Sequence, residues 1–339
     1  MLEGKAGKGF LMRLQLLNQF YSSYFFFTQL LRLVNAGLSI SEYDHSMLSS
    51  EGKLHIADNE EGIKARNSMH NRLEADAFIP AGGRPGTIDM SNYKQFLQPD
   101  GTASSKLIVE GANLFITGEA RQALFEEAGI VIVKDSSANK CGVITSSYEI
   151  CASMMLSEEE FCSNKDQIVK EVLGKLRLLA KKEAQVLFRE FQLQPDALPK
   201  ISQRVSNSIN TATDAISEEL EHMSEDELEE LLPIFRDYLP KTISEIAFDD
   251  VQEKVPQQYI KNAIASGLAS KICYKEGCAY IDSLPLDQLA RVAMKYVSKE
   301  KEMALLKNAL LETEMADEER NSIIQILEAG GVRTALKLI

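Results

Sequence analysis

Two short apolar runs limit most tightly what this chain can fold into. Lys106-Leu107-Ile108-Val109-Glu110 is β-branched at its centre and ends at Gly111, and Ile130-Val131-Ile132-Val133 is apolar throughout. Between them, Thr117 to Ala128 has helical character. Glu119 lies in its first turn, where the helix dipole favours an acid, and Gly129 follows as a stop. Strand, helix and strand at this spacing form a βαβ unit with parallel strands. The second run, apolar at every position, suits a sheet covered on both faces. A further strand candidate, Ala77–Pro80, precedes the turn Ala81-Gly82-Gly83-Arg84-Pro85-Gly86. The expected class is α/β, a partial doubly wound (Rossmann-like) parallel sheet followed by a mainly α-helical C-terminal region.

The helical region begins where glycine runs out. Fourteen of the 19 glycines lie in residues 1–150, so strands and tight turns concentrate there. Ser157-Glu158-Glu159-Glu160 and Ser224-Glu225-Asp226-Glu227 both have the form of a capping box. Helices are expected over Ile168–Phe191, Glu225–Tyr238, Pro256–Lys275, Leu286–Leu311 and Asp317–Ala329, the last stopped by Gly330-Gly331. The acidic stretch Glu218–Glu230 reads as a solvated helical face.

The formal net charge of −13 opposes general nucleic-acid binding, which needs a basic face. Residues 10–34 are greasy, but Arg13, Gln15, Asn18, Gln19, Gln29 and Arg32 interrupt them. They offer neither a membrane span of about 18 apolar residues nor a signal peptide, and read as a buried or half-buried helix. Five cysteines, Cys141, Cys151, Cys162, Cys273 and Cys278, form an odd, sparse set that suits reduced thiols in an intracellular, soluble protein. With four histidines and no Cys/His pairs at finger spacing, no structural metal is expected.

In an open parallel sheet, ligands sit outside the carboxyl ends of the strands. Three loops occupy those positions: Ala81-Gly82-Gly83-Arg84-Pro85, Glu110 to Thr117, and Lys134 to Glu149. Each joins small residues, which admit a ligand close to the backbone, to amides or hydroxyls that bond its polar atoms. Any one alone is as well explained by turns and helix caps.

The stretches IPAGGRP (79–85), KLIVEGANLFITGEAR (106–121) and KDSSANKCGVITSSYEI (134–150) together resemble the NAD-dependent glutamate dehydrogenases of large-subunit type. Weaker similarity covers residues 30–44, 66–78 and 255–277, so the resemblance spans about 30–280. It implies that Ala81 and Gly82 pass along the cofactor ribose. Asn113 and Asn139 then face the nicotinamide half of NAD, and Ser146 bonds a carboxylate of glutamate. The implied reaction is oxidative deamination of L-glutamate to 2-oxoglutarate and ammonia, with hydride transfer to NAD, in an enzyme that is a homo-oligomer.

The family also uses a Gly-flanked lysine and an aspartate from a substrate domain, and a glycine-rich turn after the first Rossmann strand. No G-x-G-x-x-G occurs here, and nothing around Gly7-Lys8-Gly9 continues the lysine motif. No catalytic residue is therefore assigned, and the chain alone is expected not to turn over glutamate. The organisation implied is a divergent N-terminal helix over 1–29, the C-terminal part of the NAD-binding domain over 30–156, and a helical region over 157–339. Lys140-Cys141 departs from the small residues usual at that place. A non-catalytic helical scaffold retaining a cofactor-domain remnant, and a Rossmann oxidoreductase acting on another amino acid, remain open alternatives. Of the other polar residues, His70 reads as structural and Cys141 as inert, while Arg84 suits either a phosphate or a carboxylate of the fold itself.

Overall fold

The computed structural model describes residues 31–39, 42, 59–71 and 73–337. The helix expected over 1–29, with Gly7-Lys8-Gly9, lies outside the described residues. The chain divides into two compact units, Met1–Asn139 and Lys140–Ile339.

The first unit is built on the expected sheet. Helix α1 (Glu60–Asn67) starts at Asn59, whose side chain accepts the Gly62 N–H at 2.9 Å. Strands β1 (Ala75–Phe78), β2 (Ser105–Val109) and β3 (Val131–Val133) pair in the order β1-β2-β3, parallel throughout. Leu107 sits level with Ala77 on one side and Val131 on the other. Strand β1 ends sooner than Ala77–Pro80 suggests, because Pro80 has no N–H to give the ladder. Helix α2 (Gly118–Ala128) joins β2 to β3, capped by the Thr117 hydroxyl and closed by Gly129 at φ 64°, a left-handed cap that glycine adopts without strain. Ile88, Phe96, Ile108, Ile116, Leu124, Ile130 and Ile132 form the buried core, with Phe115 and Tyr93 at its margin. His70 stacks on Phe78 with ring centroids 5.3 Å apart and lies edge-on to Phe115, a packed histidine as its sequence context suggests.

After β3 the structure corrects the sequence reading. Lys134 to Glu149 is not one loop: α3 (Asp135–Ala138) closes the first unit, and α4 (Cys141–Met155) opens the second. Its hydroxyls did not prevent the helix because they bond back to its own carbonyls, Thr145 to Cys141 and Ser147 to Ile144. Tyr148, Cys151, Ala152 and Met155 supply the buried stripe, spaced three and four residues apart.

The second unit is wholly helical among its described residues. Helix α5 (Glu158–Leu193) begins with the Ser157/Glu160 capping box as expected, and α6 (Leu198–His222) buries Ile201, Val205, Ala212, Ile216 and Leu220. Helices α7 (Glu225–Glu229) and α8 (Leu232–Tyr238) replace the single helix expected over Glu225–Tyr238. Pro233 breaks it, since it lacks an N–H and its ring obstructs the carbonyl four residues back. The second capping box, Ser224/Glu227, starts α7. Short helices α9 (Lys241–Ala247) and α10 (Val251–Lys254) lead into α11 (Gln257–Glu276), whose Ile260, Ile264, Leu268 and Ile272 are buried. Helix α12 (Cys278–Asp282) and helix α13 (Leu286–Leu311) follow. Helix α14 runs from Asp317 to Lys337, through Gly330-Gly331 rather than stopping there. Each interior glycine costs a helix only about 1 kcal/mol, which weakens it without ending it. Among the described residues no helix is long and apolar enough to cross a membrane.

Candidate functional site

The parallel order brings the carboxyl ends of β1, β2 and β3 to one edge of the sheet. There the loops after β1 and β2 are laced together. Ala112 donates its N–H to Pro80 O at 2.7 Å, and Gly86 donates to Leu114 O at 2.8 Å. The approach is close enough that a Cβ on Gly111 would lie 3.2 Å from Pro80 O and 3.7 Å from Ala81 Cα. Ala81 is thus seated against Gly111, while Gly82 stands in open space beside it. Arg84 is exposed, and its carbonyl accepts the Thr87 hydroxyl at 2.6 Å.

The third loop brings its amide to the second. Asn139, just past α3, donates its Nδ2 to Asn113 Oδ1 at 2.5 Å and to Gly111 O at 3.4 Å. Among the described residues, neither Asn113 Nδ2 nor Asn139 Oδ1 has a partner. The pair therefore offers the free N–H donors of one amide and the free carbonyl acceptor of the other. That is the complement of a primary carboxamide, which carries a carbonyl and an amino group on one carbon.

A buried ion-pair cluster lies beneath these amides. Glu110, fully buried at the end of β2, takes Arg121 Nε on Oε2 at 2.8 Å and Arg121 Nη2 on Oε1 at 3.2 Å. It also accepts the Ile116 N–H at 3.0 Å. Burial pushes the Glu110 carboxyl above its ordinary value, and the bonds from Arg121 and Ile116 work against that rise. Arg121 Nη2 reaches on to Asp135 Oδ1 at 3.4 Å, and Asp135 Oδ2 accepts the Leu114 N–H at 2.8 Å. Leu114 sits at φ 54°, the one described non-glycine residue with a positive φ. The left-handed region costs a residue with a Cβ about 1–2 kcal/mol. In the sequence alone Glu110, Arg121 and Asp135 carry no assigned role. The available signal was an acid directly after the apolar run of β2.

Ser146 belongs to the second unit. It lies exposed on α4, its hydroxyl donating to Gly142 O at 3.3 Å. Val143 and Ile150 share that exposed face. Bordering that face, Ser147 accepts the Tyr238 hydroxyl on Oγ at 2.7 Å. Burial pushes the Tyr148 phenol up to about 12. Lys140, at the start of the unit, places Nζ 2.7 Å from Glu183 Oε1, and Tyr274 donates to the other oxygen at 2.6 Å.

The model of the glutamate/leucine/phenylalanine/valine dehydrogenase family matches residues 25–193, half of the chain. The chain belongs to that dehydrogenase family. Ala81, Gly82, Asn113, Asn139 and Ser146 all fall inside the matched stretch. The chain is similar to the NAD-specific glutamate dehydrogenase of Neurospora crassa, 33% identical over 276 residues covering 74% of this chain and 26% of that protein. It is 31% identical to the NAD-specific glutamate dehydrogenase of Saccharomyces cerevisiae over 281 residues, 74% of this chain and 26% of the relative. Glutamate dehydrogenase 2 of Dictyostelium discoideum is 33% identical over 260 residues, 69% of this chain and 25% of that protein. The matched region thus spans about a quarter of the length of these dehydrogenases. No solved structure matches the chain significantly.

Proposed function

We propose that this dehydrogenase chain supplies the nicotinamide side of an NAD-dependent glutamate dehydrogenase, which converts L-glutamate to 2-oxoglutarate and ammonia. The observation that carries the reading is the paired Asn113 and Asn139, whose free donor and free acceptor match a carboxamide at the carboxyl edge of a parallel sheet.

The residues present fit the cofactor. Gly82 has no side chain and open space beside it, and Ala81 adds only a methyl, so a ribose can run along that stretch of backbone. Asn113 Nδ2 donates to the carboxamide carbonyl, and Asn139 Oδ1 accepts from its amino group. When bound, NAD supplies the hydride acceptor for the glutamate α-carbon. Gripping the carboxamide at both its atoms fixes the rotation of the ring, and positioning of this kind lowers the entropy cost of reaction. Ser146, exposed on a helix face, donates its hydroxyl to a glutamate carboxylate.

A helical scaffold has no use for two amides held at 2.5 Å across two strand-end loops, which favours the enzymatic reading. The working enzyme is a homo-oligomer, and its unpaired cysteines suit a reducing intracellular compartment. In the natural full-length protein, Ser146→Ala should raise KM for glutamate roughly tenfold with KM for NAD unchanged. Asn113→Ala should do the reverse. Wild-type KM values for both ligands in both variants would contradict the assignment.

A further inference from the structure

The Asn113 and Asn139 pair is only as well placed as the backbone that carries it, and that backbone is held in an unfavourable conformation. Asn113 directly precedes Leu114, whose φ of 54° a leucine avoids unless something holds it. Packing does not hold it, because the Leu114 side chain is 60% exposed. What holds the residue is polar: its N–H points at Asp135 Oδ2 at 2.8 Å, and its carbonyl accepts from Gly86 at 2.8 Å.

Asp135 is in turn fixed from two sides. Its Oδ1 accepts its neighbour's N–H, from Ser136, at 2.9 Å, and faces Arg121 Nη2 at 3.4 Å. Arg121 is anchored by two bonds to the fully buried Glu110. A rigid chain therefore runs from Glu110 through Arg121 and Asp135 to the backbone beside Asn113. Asp135 also opens α3, the helix that ends at Asn139, and the Asn139 N–H donates to Asp135 O at 2.9 Å. One residue thus braces both amides, through its carboxylate on one side and its carbonyl on the other.

We propose that Asp135 is a positioning residue for the nicotinamide carboxamide, holding Leu114 in the left-handed conformation and thereby setting the Asn113–Asn139 pair. The proposal rests on the reading of that pair as the carboxamide site. Asp135 touches no ligand itself; it acts through Leu114. Its loss should be felt by the nicotinamide end of the cofactor and not by the adenine end.

The test uses the natural full-length protein and two ligands measured by calorimetry, NAD and ADP-ribose, the second lacking nicotinamide. Asp135→Ala should weaken NAD about tenfold while ADP-ribose binds within twofold of wild type. Adding Leu114→Gly to Asp135→Ala should recover part of the loss, because glycine adopts the left-handed region freely. If Asp135→Ala folds poorly, Asp135→Asn carries the test. It is close in shape and keeps one acceptor for the Leu114 N–H, and it should weaken NAD severalfold with ADP-ribose unchanged. Equal loss for both ligands, unchanged NAD binding, or no recovery from Leu114→Gly would overturn the proposal. Asn113→Ala separates the two levels. If it leaves NAD binding intact, the carboxamide reading itself has failed. If it weakens NAD while Asp135→Ala does not, only the role of Asp135 is lost.

Discussion

Lys140 Nζ and Glu183 Oε1 lie 2.7 Å apart, an ion pair between the first residue of the second unit and the C-terminal half of its longest described helix. The glutamate is buried, the lysine only half so, and the Tyr274 hydroxyl completes the carboxylate's shell at 2.6 Å. The lysine thus has a structural partner within the helical unit. Removing one bond to a buried carboxylate leaves that oxygen unsatisfied. Tyr274→Phe should therefore destabilise the second unit by about 1–3 kcal/mol, read from urea denaturation. A change below a few tenths would mean that water replaces the hydroxyl at no cost.

Gly111 makes a sharper test of loop packing. A methyl group there must meet the Pro80 carbonyl at 3.2 Å, and neither backbone can yield without moving Ala81. Gly111→Ala should weaken NAD binding at least tenfold in the full-length protein while shifting the thermal midpoint by only a few degrees. Unaltered affinity would separate the two loops from the cofactor.

The helical unit should be sensitive to alkali, and Tyr148 gives the sign. Burial disfavours the phenolate and pushes its phenol in the folded chain up from an ordinary 10.0 to about 12. Below pH 10 it is protonated in both states and its contribution is complete. Between pH 10 and 12 only the unfolded chain ionises, so stability falls as pH rises. Tyr148→Phe should flatten the fall in melting temperature above pH 10, followed by circular dichroism at 222 nm.

The capping box of α5 offers a simpler check. Ser157 Oγ accepts the Glu160 N–H, and the Glu160 carboxylate returns to the Ser157 N–H at 2.8 Å. Ser157→Ala should cost about 1 kcal/mol by chemical denaturation. No loss would place the start of α5 under the control of packing instead.

How much of this could be read from residues depended on how local the cause was. The βαβ unit was legible because β-branched runs, Thr117 and Gly129 act within their own neighbourhoods, as did both capping boxes. Leu286–Leu311 was legible to the residue, since Pro285 precedes it and its apolar spacing is regular. Helix α4 was not legible: its glycine and hydroxyls read as loop, and only the buried stripe from Tyr148 to Met155 commits it to a helix. Gly330-Gly331 failed as a stop because glycine weakens a helix without forbidding it. At the site, Asn113 and Asn139 were legible as candidates but their contact was not, because it depends on loops 26 residues apart meeting. The left-handed Leu114 had no local signal at all. Leucine does not favour that conformation, and the carboxylate that holds it comes from 21 residues away.

The most direct measurement of the central claim compares NAD with its 3-acetylpyridine analogue, which keeps the carbonyl and lacks the amino group. Dissociation constants are measured in the natural full-length protein and in Asn139→Ala. If Asn139 Oδ1 accepts from the carboxamide amino group, the wild type prefers NAD and Asn139→Ala loses that preference, by about tenfold for one bond. An Asn139→Ala protein that discriminates between the two cofactors as the wild type does would contradict the assignment of this pair to the nicotinamide.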